Sequence, residues 1–179
     1  MTPSLRASPF EVKKFILDVP DFPKKGIVFK DITPLLGDGE AFRAAIDQLA
    51  APFEDKGIAQ VAGVESRGFL LATAIAFKLG AGVIPIRKKG KLPRKTLSAE
   101  YALEYGTDSV ECHADAARPG AKVLLVDDVL ATGGTASASV RLLETLGAKI
   151  VGVAFLIELD FLKGREKLKK HAIHSLLHY

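Results

Sequence analysis

The stretch VLLVDDVLATGGT, residues 123–135, decides the fold class. Four apolar residues in a row predict a strand buried on both faces, the kind that lies in a parallel sheet covered by helices. The strand delivers two adjacent acids, Asp127 and Asp128. A short loop of small and hydroxyl residues follows, and a helix opens at Gly133. Successive backbone N–H groups in such a loop form a nest for an anion, to which the helix N-terminus adds its positive partial charge. Thr132 and Thr135 add hydroxyl donors, and the glycines let backbone approach a phosphate closely. Two carboxylates nearby suit sugar hydroxyls or a hydrated divalent metal. An acid pair beside a phosphate nest describes a sugar-phosphate site. A strand ending in two acids also occurs in P-loop nucleoside triphosphatases, but the chain holds no GxxxxGK[ST] string, nor a GxGxxG dinucleotide fingerprint.

Working outward, IVGVAFLIEL (150–159), VIPIR (83–87) and IAQVAGV (58–64) give further apolar strands. The segment FLLATAIAFKLG (69–80) gives a buried helix ending at Gly80, and a helix from Gly133 to about Gly147 presents Val140, Leu143 and Leu146 inward. Strand and helix alternate, so the expected architecture is α/β, a parallel twisted sheet flanked by helices. SAEYALEY (98–105) and SVECHADA (109–116) are expected to pair as a hairpin across Gly106–Asp108. Near the N-terminus, Ser8-Pro9-Phe10-Glu11 predicts a helix carrying Phe15, Ile16 and Val19 on its apolar face and ended by Pro20–Pro23. Ile27–Ile32 reads as a short strand and Glu40–Phe53 as a helix. The run KGREKLKK (163–170) reads as a solvated helix before a last strand near 172–177. In open α/β sheets ligands bind outside the carboxyl ends of the strands. Glu65–Gly68, the loop after Arg87 and Asp127–Thr135 are all expected there, converging on one site.

The 179 residues suit one domain, with 48% hydrophobic and 26% charged residues and a net charge of +4. Six positive charges and no negative one fall in RKKGKLPRK (87–95), without which the chain is net negative. The basic excess is therefore one loop, suited to a small polyanion rather than to nucleic acid. No apolar run is long enough to span a bilayer, and MTPSLRASPF has no signal-peptide core. With a single cysteine, no disulfide framework is expected, and a reducing cytoplasmic location follows. His171, His174 and His178 fall where helix gives way to strand and are not expected to share a metal. Cys112 is expected to be inert.

The 123–135 segment resembles the phosphoribosyl pyrophosphate motif of the type I phosphoribosyltransferase family. PDFPKKGIVFKDITPLL (20–36), VESRGFLLA (64–72), RKKGKLP (87–93) and LEYGTDSVE (103–111) resemble the family's adenine-using members in order and spacing. This resemblance implies a single domain with a small N-terminal hood over about 1–36, a core over about 37–179 and a flexible lid over about 87–110. It implies that Asp127 and Asp128 face the ribose hydroxyls, directly or through Mg²⁺ and water, with Mg²⁺ held mainly by substrate. Ala131, Thr132, Gly133, Gly134 and Thr135 would cradle the 5′-phosphate. Glu65, Ser66, Arg67 and Gly68 would form the pyrophosphate loop, with a cis peptide between Glu65 and Ser66. In the hood, Phe29 would stack on the purine while backbone groups of Val28 and Lys30 read its edge, and Leu159 would close the opposite face. Many relatives carry Arg at the position of Lys30; a backbone role tolerates the change.

The resemblance further implies that Arg87, Lys88 and Lys91 meet pyrophosphate, Arg87 from a neighbouring subunit of a homodimer, and that Glu104 moves the proton at the purine. The implied reaction joins adenine to phosphoribosyl pyrophosphate, giving AMP and pyrophosphate. Two alternatives stay open at this point. One is another purine base: hypoxanthine, guanine or xanthine. The other is a regulator of the same fold that senses phosphoribosyl pyrophosphate, for which an added DNA-binding domain is the expected sign.

Overall fold

The computed structural model describes residues 11–102 and 106–179. The chain separates into two compact units, 1–47 and 48–179.

In the second unit the apolar runs become the strands of one seven-stranded sheet. They are β3 (Gln60–Val64), β4 (Gly82–Lys88), β5 (Thr96–Ala102), β6 (Thr107–His113), β7 (Lys122–Leu130), β8 (Lys149–Glu158) and β9 (Ile173–His178), where β1 and β2 belong to the first unit. Their spatial order is β5-β6-β4-β3-β7-β8-β9. The five from β4 to β9 run parallel, and the β5–β6 hairpin joins the edge of β4 antiparallel. Helix α3 (Arg67–Leu79) packs on β3 and β7, and α4 (Gly134–Thr145) packs across β5–β8. Ala62, Val64, Ile84, Ile86, Val123, Leu125, Val153 and Phe155 meet Ala136, Val140, Leu142 and Leu143 of α4 in one apolar cluster. The period-two strand pattern thus closes against the 3.6-residue helix pattern. Gly80 caps α3 in the left-handed conformation, its N–H bonded to the carbonyls of Ala76 and Phe77.

Strand β7 runs further than expected. It continues through both acids to Leu130, pairing Asp127 with Phe155 and Leu130 with Glu158. The acids stand in the last turns of the central strand, and the loop behind them shrinks to Ala131–Gly133. The charged run 163–170 is not a solvated helix. It forms short 3-10 turns, Asp160–Leu162 and Gly164–Leu168, broken at Lys163 with φ 52°. Gly164 and Leu168 are buried: the run looks solvated in composition, but two of its residues face the core.

In the first unit, β1 (Leu17–Pro20) and β2 (Val28–Asp31) form an antiparallel hairpin that pairs Val19 with Phe29. The expected helix through Val19 is therefore wrong. Among the described residues a 3-10 turn, Val12–Phe15, is what precedes the strand; Ser8–Phe10 lie outside the described residues. Partner pairing with β2 overrides the capping signal. Asp21, with φ 58°, turns the chain by accepting the Gly26 N–H at 2.7 Å. Asp31 then accepts from the N–H and hydroxyl of Thr33 at 2.9 and 2.8 Å, starting the short α1 (Thr33–Gly37), which periodicity did not reveal. Helix α2 (Gly39–Ala50) stops before Phe53, because Pro52 turns the chain into a 3-10 segment over Ala51–Lys56.

Phe155 of β8 is fully buried in the apolar cluster under α4. Phe155→Ala is expected to lower stability by about 3–5 kcal/mol. Urea unfolding followed by circular dichroism checks this; a loss below about 1 kcal/mol means the cluster is not a single core.

Candidate phosphoribosyl site

Four parallel strands, β4, β3, β7 and β8, end on one edge of the sheet, and the segments they deliver lie side by side. Behind β7, residues Ala131–Thr135 and Asp127 line a pocket of about 80 Å³. Gly133 holds φ 74° as the N-cap of α4, a conformation that a side chain resists. Its backbone presses against Gly164: a Cβ at Gly133 would stand 2.4 Å from the Gly164 carbonyl oxygen, and one at Gly164 would stand 2.2 Å from that of Ala131. The nest is thus braced from behind by the 164–168 turn, a role that nothing in KGREKLKK announces. Leu159 joins this edge, its N–H bonded to the Leu130 carbonyl at 2.9 Å.

The acid pair is held largely out of water. Asp128 is 7% exposed. The Arg67 Nε stands 2.6 Å from its Oδ2, although that oxygen has no well-aligned hydrogen bond. Asp127 Oδ1 accepts the Asp128 N–H at 2.9 Å. Burial, and then the adjoining Asp128 carboxylate, push the Asp127 carboxyl well above the ordinary range. Burial also raises Asp128, against the pull of Arg67. Gly68 lets the start of α3 come this close, since a Cβ there would lie 2.7 Å from Asp127 Oδ1.

Glu65–Gly68 connects β3 to α3, and the Glu65–Ser66 peptide is cis. The Glu65 carboxylate faces the basic loop rather than an anion. It accepts from Arg87 Nη2 at 3.0 Å, Arg87 Nε at 3.2 Å and the Lys88 N–H at 3.1 Å. The Arg87 bonds hold its carboxyl below the usual range. Arg87 also donates Nη1 to the Lys91 carbonyl at 2.9 Å, so its fork is engaged within its own chain. Lys88 sits 3.2 Å from Asp108, which also accepts from the Tyr101 hydroxyl at 3.0 Å. The link between Asp108 and Tyr101 is not legible in the sequence, because it exists only once β5 and β6 pair. Glu104 lies outside the described residues.

On the hairpin of the first unit, Phe29 is half-buried and meets Phe22 edge-on with centroids 5.1 Å apart. Val28 is exposed, and the Lys30 ammonium pairs with Asp18 at 2.7 Å. Elsewhere, Glu158, Asp160 and His178 bring one ligand atom each within 4.8 Å of one another. Glu158 is already engaged by Arg165 at 2.9 and 2.6 Å and by Ser175 at 2.5 Å, so the Arg165 guanidinium already neutralises the carboxylate that a metal would need. His174 bonds the Gln48 carbonyl instead. Cys112 is buried, which pushes its thiol up to about 11 and leaves it a poor nucleophile.

In the folded chain Asp127 keeps its proton to higher pH than in the unfolded one. Folding stability therefore falls as pH rises from about 3.9 towards the folded value. Asp127→Asn removes that penalty and is expected to melt at a higher temperature than the parent at about pH 7, with the difference vanishing below about pH 4. Thermal melts across this range check it; a less stable variant at neutral pH contradicts the burial account.

Comparison with known proteins agrees with this geometry. A family model described as phosphoribosyl transferase domain matches residues 36–176. The adenine phosphoribosyltransferase of Symbiobacterium thermophilum is 59% identical over 169 residues, 94% of this chain and 99% of that protein. The crystal structure of the adenine phosphoribosyltransferase from Rhodothermus marinus superposes with a TM-score of 0.91 at 53% identity, covering 94% of this chain and 96% of that one. The Saccharomyces cerevisiae enzyme, solved with adenine and an imino-altritol bisphosphate, gives a TM-score of 0.88 at 40% identity over 92% and 96% of the two chains. An acid pair at the end of the central strand, a braced anion nest and this degree of likeness over nearly the whole chain make it a member of the adenine phosphoribosyltransferases, within the type I phosphoribosyltransferase family.

Proposed function

We infer that the protein is a purine-salvage transferase that makes AMP and pyrophosphate from adenine and 5-phosphoribosyl 1-pyrophosphate. The observation that carries this reading is the acid pair packed beside the 131–135 nest on one sheet edge. In the reaction the ribose C1′–O bond to pyrophosphate breaks, a C1′–N9 bond to adenine forms, and adenine gives up its N9 proton. The nest holds the 5′-phosphate through amides and Thr hydroxyls, while Asp127 and Asp128 accept from the ribose hydroxyls. Lys88, Lys91 and Arg67 stabilise the departing pyrophosphate by charge. Phe29 is the group suited to stacking on the purine, and the backbone of Val28 and Lys30 to reading its edge. Lid closure excludes water that would otherwise hydrolyse the activated sugar.

Two hard-oxygen ligands side by side, with one Asp128 oxygen lacking an aligned donor, suit Mg²⁺ bound through water. Held mainly by the substrate, Mg²⁺ supplies positive charge to the pyrophosphate when bound. A homodimer belongs to the same reading. Leu70 and Phe77 share one face of α3, Phe77 is 91% exposed, and Val83 of β4 is exposed too. These are the apolar groups that a second copy would cover. A cytoplasmic enzyme is likewise proposed; among the described residues no helix is long and apolar enough to cross a membrane.

The choice of adenine over a 6-oxopurine rests on the likeness to adenine enzymes. Supplying phosphoribosyl pyrophosphate, Mg²⁺ and each base in turn is expected to yield nucleotide with adenine; nucleotide from hypoxanthine or guanine instead, or from none, refutes the reading. Within it, Glu104 moves the purine proton, since Tyr101 and Tyr105 ordinarily titrate near 10. Glu104→Gln is expected to lower kcat about 10²–10⁴-fold with little change in phosphoribosyl pyrophosphate affinity. Single-turnover kinetics separate this from slow product release; a large loss of affinity would make Glu104 a lid-ordering group instead.

A further inference from the structure

Glu111 is one of the few charged residues buried in the chain, at 5% exposed, and no step above uses it. It stands on β6, the middle strand of the β5-β6-β4 edge, opposite Arg87 of β4 and Ser98 of β5. The chain between β4 and β5 must therefore cross over β6, and that crossing is the basic loop 87–95. Glu111 meets it from beneath. Oε1 accepts the Gly90 N–H at 2.9 Å, and Oε2 accepts the Thr96 hydroxyl at 3.3 Å. One carboxylate thus ties the turn of the loop, where Gly90 has φ 81°, to the point where the loop re-enters the sheet.

Six positive charges in nine residues repel one another, so the loop does not hold a compact shape on its own. Arg87, Lys88 and Arg94 are tied down at Glu65, Asp108 and Asp115. The Arg94 pair and the Lys88 pair have exposed cations and contribute little fixed geometry, while the forked Arg87–Glu65 bond anchors the start of the loop. Glu111 is different, because its carboxylate is itself buried and leaving it unpaired there is costly, while its donors Gly90 and Thr96 lie nearer the surface. We propose that Glu111 is a positioning residue, which sets the shape of the 87–95 loop and so presents its lysines to a polyphosphate. This rests on the reading of that loop as the pyrophosphate-binding element. Glu111 touches no substrate; it acts through Gly90 and Thr96. Both are neutral donors, so a Gln side chain can serve the same two groups, its oxygen accepting from Gly90 and its amide donating to the Thr96 hydroxyl.

The test compares Glu111→Ala, Glu111→Gln and Thr96→Val with the parent, using inorganic pyrophosphate binding by calorimetry, steady-state kinetics and limited trypsin cleavage. The loop's six basic residues are ready trypsin sites. For Glu111→Ala we expect pyrophosphate affinity to fall about tenfold and the KM for phosphoribosyl pyrophosphate to rise by a similar factor, as for a lost bond to a charged group. The KM for adenine should stay within about twofold, and cleavage inside 87–95 should quicken by about tenfold. Glu111→Gln should restore all of these to within about threefold of the parent, with Thr96→Val intermediate. Parent-like affinity and cleavage in Glu111→Ala overturn the proposal, as does Glu111→Gln being as impaired as Glu111→Ala. Should Glu111→Ala not fold, Thr96→Val decides, and parent-like cleavage and affinity there overturn it. Failure of the parent to bind pyrophosphate would refute the pyrophosphate role of the loop, while the cleavage series would still test whether Glu111 shapes it.

Discussion

Two adjacent carboxylates held out of water at the end of a central strand are an unfavourable arrangement, and much of this molecule is organised around keeping them there. β3 and β8 flank β7 and fix where Asp127 and Asp128 emerge. The start of α3 brings Arg67 to Asp128 and is let in by the missing side chain of Gly68. Behind the pair, backbone contact between Gly133 and Gly164 brings the amides of residues 131–135 to the same sheet edge. A site of this kind trades folding stability for a field suited to a ligand that supplies hydroxyls to the acids and a phosphate to the amides.

The basic-loop side of the site is organised on a different principle. There the excess charge is positive, and acids from several elements share the task of holding it. Glu65 binds Arg87, Asp108 binds Lys88 and the Tyr101 hydroxyl, Asp115 binds Arg94, and Glu111 takes the backbone of the turn. Among the described residues no ion pair engages the ammonium of Lys91, which remains available to an anion. One part of the site is therefore acidic and largely screened from water and the other basic and wet.

Much of this was legible in the chain itself. Four apolar runs, three of them followed by chemically loaded residues, pointed to the parallel sheet and to the edge on which the site lies. What failed was local and has a physical cause in each case. Ser8-Pro9 carries a helix-start signal, but Val19 pairs with Phe29 in a hairpin, and long-range pairing prevails over a cap. KGREKLKK looks like a solvated helix because its charges dominate, yet Gly164 carries no charge and is the residue that braces the nest. Asp108, Tyr101 and Glu111 have no sequence pattern linking them to the basic loop; their contacts arise only from the order of strands at the sheet edge.

The central claim is a division of labour in which the acid pair reads the ribose hydroxyls and the 131–135 loop holds the phosphate. Dissociation constants of AMP and of 2′,3′-dideoxy-AMP, for the parent and for an Asp127→Asn, Asp128→Asn double variant, test it most directly. The account predicts that the parent binds AMP about 10–100-fold tighter than the dideoxy analogue. It also predicts that the variant loses this preference while binding the analogue as the parent does. Equal affinity of the parent for the two nucleotides, or an undiminished preference in the variant, would contradict it.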